Sequence, residues 1–375
     1  MIKILFFIPT LTGGGAEKVL CNLVNSMDQS QFDITVQTID ECSSENYLSA
    51  GIHYKAINHC KTRAGKLLFF SLFRLCAELK LAYRFWVKDN YDIEVAYLET
   101  IATKIIAQSN SKKVAKIAWV HCDLSLKDSL RDKVNRIRKQ YYSFDKIVCV
   151  SRDVQEGFKK LFGSDFDTTI LHNVIDETKI LDLAKEKIAW NKKEPGKQLI
   201  AVGRLSLQKN FKYLVDTCRK LRDDGYQFHL CILGDGPERE NLERQIESLN
   251  LSNIVQLMGY CKNPYPYMKS ADIIVCSSIY EGISTVVQEA LILGKPVVTT
   301  PCTGMEELLG KSEYGLIAED SENGLYKALC QMLGNREVEK YYSEKAVERK
   351  AKLRKKYVLG QTEELFMEIL QNKVI

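Results

Sequence analysis

The sequence predicts an α/β protein made of two Rossmann-like, doubly wound domains, and three observations predict it. The chain has 375 residues, more than one core usually serves, so two domains of ~150–190 residues are expected. Short apolar runs of strand length alternate with segments of helical period, the pattern of parallel sheets with crossover helices. The alternation fades across 177–197, where Pro195-Gly196 sits in a basic, polar stretch that reads as a linker, and then restarts. The expected domains are therefore 1–176 and 195–356.

In the first domain, strands are expected at 2–8 (IKILFFI), 33–39, 93–98, 115–120 (AKIAWV), 146–150 and 168–172. Helices are expected near 15–27, 66–88, 101–109, 127–142 and 152–161. In the second domain, strands are expected at 198–203, 228–233, 253–258, 271–276, 295–300 and 314–318. Its helices fall at 210–224 and 237–249, with a further one carrying Glu289. Ligands of open parallel sheets bind beyond the carboxyl ends of the strands, and the motifs below follow such ends.

Composition excludes several classes of function. With 45% hydrophobic and 27% charged residues the chain is globular, and its net charge of +5 is too modest to argue for nucleic acid. The 12 cysteines are scattered singly without a C-x-x-C pair, so neither zinc nor a disulfide framework is expected and a reducing cytoplasm fits. No stretch reaches the ~18–20 apolar residues of a spanning helix. The opening MIKILFFIPTL has an apolar run of only about nine residues and no small-residue cleavage site, so it reads as a buried strand.

The most informative stretch runs from Cys276 to Leu309. It leaves an apolar strand (ADIIVC), passes a polar turn, enters a helix and ends on a second buried strand (KPVVTT). Glu281 and Glu289 stand eight residues apart. With a helix start near Ser284, Glu281 lies in the loop ahead of it and Glu289 over a turn inside. The amides of Ile283, Ser284, Thr285 and Val286 then lie between the acids. First-turn amides have no intrahelical acceptor and attract anions, phosphate above all. An anion cradle flanked by two acids suits a diphosphate with hydroxyls at both ends, which is the layout of a nucleotide sugar.

Ser278, Glu281, Gly282, Glu289, Ala290, Gly294 and Pro296 spell S-x-x-E-G-(x)6-E-A-(x)3-G-K-P-V-V. This resembles the donor-site signature of the family 4 retaining glycosyltransferases. The resemblance implies the GT-B fold, two Rossmann-like domains facing each other across a cleft, with a last helix (here 357–375) packing back on the first. It also implies transfer of a hexose or N-acetylhexosamine from a nucleotide donor, a UDP-sugar by preference, without metal or other cofactor. Glu281 would then hold the donor-sugar hydroxyls, Glu289 the ribose, and Gly282, Ile283, Ser284 and Thr285 the diphosphate.

Other strand ends extend the resemblance. Gly203-Arg204 with Lys209 five residues on matches the family's G-R-(x)4-K. A departing diphosphate carries about two negative charges, for which Arg supplies a planar fork of donors and Lys a compact charge. Gly14 and Gly15, in TGGGAE after the first strand, resemble the family's G-G-A-E turn, where glycine permits close backbone approach. Gly234, in Gly234-Asp235-Gly236-Pro237, and Tyr260 occupy strand ends that the family places near the nucleotide. His121, in WVHCD, matches a family histidine facing the donor sugar, and Asn173, in LHNVID, matches the N-G-hydrophobic-D hinge, with Val174 for the usual Gly. Ser284 stands where the family often has Pro, and Thr303-Gly304 where Gly-Gly is frequent. Asp165-Phe166-Asp167 has the D-x-D form of a metal pair but lies outside the expected site, and no metal is assigned to it.

Residues 66–88 combine five basic residues with a large apolar share. Such a helix lies in an anionic bilayer interface or covers a sheet. Arg131, Lys133, Arg136, Arg138 and Lys139 add a basic face, and 349–356 (RKAKLRKK) a further basic run. The expectation is a cytoplasmic enzyme, peripheral on the inner face of the membrane, acting on a glycan or polyprenyl-linked precursor of a bacterial surface polysaccharide. The alternatives are a nucleotide-sugar epimerase of the same fold, a sugar phosphorylase and a non-catalytic partner subunit. An epimerase would lack the E-x7-E pattern, and the intact Arg204, Lys209, Glu281 and Glu289 argue against a non-catalytic subunit.

Overall fold

A computed structural model describes residues 1–42, 48–126, 128–188, 195–351, 353 and 355–374. Residues 189–194 of the expected linker, Lys352 and Arg354 of the basic run, and the Arg131 side chain lie outside what is described. The chain divides into two units, Met1–Ile175 with Lys355–Ile375, and Asp176–Arg354.

The first unit runs β1 (Ile2–Phe7), α1 (Gly15–Ser26), β2 (Phe32–Asp40), β3 (His53–Asn58), α2 (Arg63–Glu78), α3 (Ala82–Trp86), β4 (Ile93–Ala96), α4 (Ile101–Ile106), β5 (Ala115–Val120), α5 (Val134–Tyr141), β6 (Lys146–Cys149), α6 (Arg152–Phe162) and β7 (Thr168–Ile170). The second runs α7 (Glu177–Leu183), β8 (Lys197–Val202), α8 (Phe211–Asp223), β9 (Phe228–Leu233), α9 (Arg239–Ser248), β10 (Val255–Gly259), α10 (Tyr265–Ser270), β11 (Ile273–Cys276), α11 (Thr285–Ile292), β12 (Val297–Thr299), α12 (Met305–Leu309), β13 (Leu316–Ile317), α13 (Gly324–Gly334) and α14 (Arg336–Lys350). A last helix, α15 (Lys355–Val374), belongs to the first unit.

Among the described residues, the first sheet has seven strands in the order β3-β2-β1-β4-β5-β6-β7, and the second has six in the order β10-β9-β8-β11-β12-β13. Neighbouring strands pair in parallel throughout. The order reverses between β1 and β4 in one sheet and between β8 and β11 in the other. Crossover loops diverge to opposite faces there and leave a crevice at the carboxyl ends. Central strands such as IIVC of β11 are buried along their whole length, because helices cover both faces of a parallel sheet. Each fully buried Leu or Ile of this kind contributes about 1.5–3 kcal/mol of transfer free energy. α15 is tied to the first sheet by Phe366, which is fully buried against Phe6 and Phe32 with centroids 6.1 and 6.4 Å away.

The structure departs from the sequence expectation at several elements. The single helix expected over 66–88 is broken into α2 and α3. Lys80 takes a left-handed conformation (φ 59°), and the Leu81 amide closes back on the Cys76 carbonyl at 2.8 Å. That is a Schellman-type stop, usually made by glycine. Over 127–142, only Val134–Tyr141 is α-helix, preceded by 3-10 turns at Leu124–Leu126 and Asp128–Lys133. Within the stretch read as linker, Glu177–Leu183 is helical, started by the Asp176 carboxylate accepting from the Lys179 amide. β3, at the edge of its sheet, and α10, α12, α13 and α14 were not anticipated.

Candidate active site

The reversal point of the second sheet collects the motif residues. After β8 the chain turns through Gly203-Arg204 into a short 3-10 turn ending at Lys209, and after β11 it turns through Ser277–Ser284 into α11. The two loops are stitched together by hydrogen bonds. Gln208 donates from Nε2 to the Tyr280 carbonyl at 2.9 Å, the Ile279 amide donates to the Gln208 carbonyl at 2.9 Å, and the Ser277 hydroxyl donates to the Lys209 carbonyl at 2.8 Å. The loop after β9 packs onto the same turn. Gly234 (φ 152°) lies so close that a Cβ there would stand 1.8 Å from the Gly203 carbonyl oxygen. Only glycine allows both that backbone conformation and that approach, so Gly234 shapes the loop that presents Arg204.

Lys209 Nζ meets Glu281 Oε1 at 2.6 Å, with the two side chains 19% and 11% exposed. Ser278 Oγ donates to the same Oε1 at 2.6 Å. Burial works against the Lys209 ammonium, but the charge of the Glu281 carboxylate and its hydrogen bond outweigh it, and its pKa stands above the usual lysine value. Thr303 holds the Glu281 backbone from both sides. Its hydroxyl donates to the Glu281 carbonyl at 2.5 Å and accepts from the Glu281 amide at 3.1 Å. Gly304 (φ 79°) follows, where a Cβ would stand 2.4 Å from the Gly282 carbonyl oxygen. The Thr-Gly pair that departs from the family's Gly-Gly thus keeps the obligatory glycine and adds a clamp.

Glu289, inside α11, is buried and accepts from the Tyr265 hydroxyl at 3.0 Å. Burial and the facing carboxylate push the Tyr265 phenol well above its ordinary range, so it stays a donor. Ser284 caps α11, its hydroxyl accepting from the Val287 amide at 3.4 Å. Among the described residues, the amides of Ile283, Ser284, Thr285 and Val286 have no acceptor, and Arg204 is exposed with no ion-pair or hydrogen-bond partner. Tyr260 is largely exposed just past β10. Gln288, which the sequence reading did not single out, carries a buried Oε1 without a partner among the described residues.

The first sheet's reversal point is furnished differently. Glu17 of α1 turns back on the glycine loop, where its Oε2 accepts from the Gly13 and Gly14 amides at 2.6 and 2.9 Å and its Oε1 from the Thr10 hydroxyl at 2.6 Å. Gly14 and Gly15 are exposed, but the Gly14 amide is spent on Glu17. Beyond β4, Glu99 is buried and accepts from the His121 and Cys122 amides at 2.5 and 2.8 Å. The next residue, Thr100, has φ 73°, a strained value for a β-branched side chain.

His121 stacks at a tilt on Tyr97 with centroids 4.7 Å apart, and its Nε2 is enclosed without a partner among the described residues. Burial pushes its pKa down to about 4, with the Glu99 carboxylate and a hydrogen bond to the Tyr97 backbone opposing. It is a neutral imidazole at neutral pH. Asn173 is buried with Oδ1 likewise unpartnered, and Val174, which replaces the expected glycine, has no positive φ. Asp165 and Asp167 are separately engaged, Asp165 by Arg138 at 2.9 Å and Asp167 by Lys146 at 2.5 Å.

Glu99 and Tyr265 were missed by the sequence reading, and Thr303 was noted only as a departure from Gly-Gly, not as a partner of Glu281. Each lies more than twenty residues from its partner, so no local pattern signals it.

Two topologically matched α/β units, with cations, unclaimed helix-start amides and two held carboxylates at one reversal point, have the make-up of a glycosyltransferase of GT-B type. The family models agree. The model described as Glycosyltransferase Family 4 matches residues 13–179, and that described as Glycosyl transferases group 1 matches residues 183–349. The chain is 30% identical over 381 residues to a Campylobacter jejuni enzyme, N-acetylgalactosamine-N,N'-diacetylbacillosaminyl-diphospho-undecaprenol 4-alpha-N-acetylgalactosaminyltransferase, covering 96% of this chain and 100% of that one. Its fold matches sucrose-phosphate synthase of Thermosynechococcus elongatus with a TM-score of 0.81 at 15% identity, covering 99% of this chain and 100% of that one. It also matches Anabaena HepE in complex with UDP-glucose, with a TM-score of 0.73 at 17% identity over 99% of this chain and 100% of that one. The chain belongs to glycosyltransferase family 4, and it is a glycosyltransferase.

Proposed function

We propose that this enzyme moves a hexose or N-acetylhexosamine from a UDP-sugar to a polyprenyl-diphosphate-linked glycan, with retention of anomeric configuration and without a metal. The observation that carries the donor side is the unclaimed charge at one crevice. Arg204 and the amides of Ile283–Val286 stand ready for an anion beside the Lys209–Glu281 pair. Fixed donors aimed at developing charge are the largest single contribution in reactions of this kind, and a diphosphate leaving group develops its charge there.

In the proposed reaction the bond from the sugar C1 to the diphosphate oxygen breaks through an oxocarbenium-like state. The acceptor oxygen bonds C1 on the same face, and its proton goes to the departing phosphate. Arg204, Lys209 and the α11 amides take up the charge of the nucleoside diphosphate. Glu281 orients the sugar hydroxyls, Glu289 the ribose hydroxyls, and Tyr260 lies by the base. In the first unit, His121 is proposed as a neutral hydrogen-bonding partner of substrate, with Asn173, Gly14 and Gly15 lining its side. The acceptor reading rests on the Campylobacter jejuni relative, whose name specifies an undecaprenol-diphosphate acceptor. It implies work at the cytoplasmic face of a membrane, and among the described residues no helix is long and apolar enough to cross one.

A panel of UDP- and GDP-sugars, read by thermal stabilisation and slow hydrolysis, tests the donor. Turnover of one UDP-sugar that is insensitive to EDTA and lost in Glu289→Ala is expected. A donor accepted equally by Glu289→Ala removes the site assignment.

A further inference from the structure

The surface of the first unit carries an apolar stripe that the fold does not use. α2 is held to the sheet by one face only. Phe73, Cys76 and Ala77 are buried in the core, and Phe73 packs on Trp86 with centroids 5.1 Å apart. The opposite face displays Leu68, Leu72, Leu75 and, at the helix end, Leu79, each between 53% and 74% exposed. Their 4-3-4 spacing aligns them in a single row along the helix, and Phe85 of α3 adds an exposed ring to the same segment. Leucines exposed in register, anchored from behind by a packed aromatic face, mark a surface that meets something apolar.

Charge identifies the occupant. Between Arg63 and Lys88 lie six basic residues and one acid, a net charge of +5 that equals that of the whole 375-residue chain. The acid, Glu78, is taken up by Lys104 at 2.5 Å and Arg136 at 3.8 Å. Arg136 belongs to α5, so basic surface continues beside the stripe. A second copy docking by this row would set like charge against like charge, and the row covers fewer than two heptads, too short for a coiled coil. An anionic bilayer accepts both features, since leucines enter the acyl boundary while arginines and lysines stay among acidic headgroups.

We propose that α2 is the face by which this glycosyltransferase lies on an anionic membrane, with Leu68, Leu72, Leu75 and Leu79 inserted. The inference rests on the membrane-surface reading above and gives it a named face. It follows that the lipid-linked acceptor is met from the first unit's side.

Sedimentation of the full chain with vesicles of phosphatidylglycerol and phosphatidylcholine, or of phosphatidylcholine alone, tests this. The wild type should pellet with the anionic vesicles and release as salt rises, because headgroup attraction is screened. Leu68→Gln/Leu72→Gln/Leu75→Gln/Leu79→Gln should lose roughly a hundredfold in partitioning while keeping the thermal shift caused by UDP. The double variant Leu68→Gln/Leu72→Gln, a milder surface change, should lose roughly tenfold. Arg74→Gln/Arg84→Gln should weaken only the anionic binding. Wild type left in the supernatant overturns the proposal, as does a leucine variant that pellets undiminished. A wild-type dimer that light scattering shows dissociating in the leucine variant also overturns it, assigning the stripe to a second copy. Pelleting of a chain that shows no thermal shift with UDP or any UDP-sugar would support this surface and sink the donor reading instead.

Discussion

The two sheets reverse strand order at the same topological point, yet the crevices there are in opposite states. At the first, backbone amides are already answered from within, Gly13 and Gly14 by Glu17, and His121 and Cys122 by Glu99. At the second, the carboxylates are answered by side chains, Glu281 by Lys209 and Glu289 by Tyr265, and the amides at the start of α11 are left over. A crevice whose amides face carboxylates has no appetite for phosphate. One whose carboxylates are already held by other donors and whose amides are free attracts it. Equal topology therefore assigns no ligand, and the bookkeeping of donors does.

Four measurements would break or sharpen this contrast. The largest effect is expected at Lys209→Ala, which leaves Glu281 as an uncompensated, largely buried carboxylate. Because both side chains keep some solvent contact, the destabilisation should fall near the low end of about 3–5 kcal/mol, read by urea melts, with turnover falling by more than about a hundredfold. Lys209→Met/Glu281→Leu should recover the stability and none of the turnover. Recovery of turnover would remove the pair from the chemistry.

The next effect separates function from folding. Arg204→Ala should lose about a hundredfold in turnover with an unchanged melting temperature, since Arg204 is exposed and holds nothing in place. Glu17→Ala should do the reverse. It strands two amides and costs about 1–2 kcal/mol of stability, with a smaller loss of kcat. If both variants lost turnover alike with their melting temperatures intact, the two crevices would not differ as described.

Tyr265→Phe removes the hydroxyl bonded to Glu289 and should cost about 1 kcal/mol, with a several-fold rise in KM for the nucleotide sugar and little change in kcat. The smallest effect is a matter of pH. His121 protonates at about 4 in the folded chain against 6.5 when unperturbed. As pH falls through that window the unfolded chain takes the proton first, so the stability present above it is progressively lost. Urea midpoints at pH 7 and pH 4.5 should therefore differ less in His121→Asn than in the wild type, and an equal difference would show that His121 is not buried as described.

Legibility in the sequence followed the range of the interaction. The parallel α/β alternation, the helix start at Ser284, and the placement of Arg204, Lys209 and Glu281 in loops after strands and of Glu289 inside the helix that follows all came from local patterns of sequence neighbours. α7 was lost because DETKILDL looks like polar linker unless Asp176 is recognised as its cap. The break at Lys80 was invisible because a lysine fills a position that usually calls for glycine. β3 escaped as a half-exposed edge strand whose alternation is mostly polar.

By itself, then, the sequence determined the class of fold, the crevice of interest and the chemical types gathered in it, since periodicity and motif spacing are properties of neighbouring residues. Only the tertiary structure decided which groups there are already satisfied. Tyr265 finds Glu289, Thr303 clamps Glu281 and Glu99 takes the His121 amide through loops brought together at the carboxyl ends of each sheet's central strands. Hydrogen-bond satisfaction is a property of distance in space, and distance in space is set by how the strands are ordered and packed.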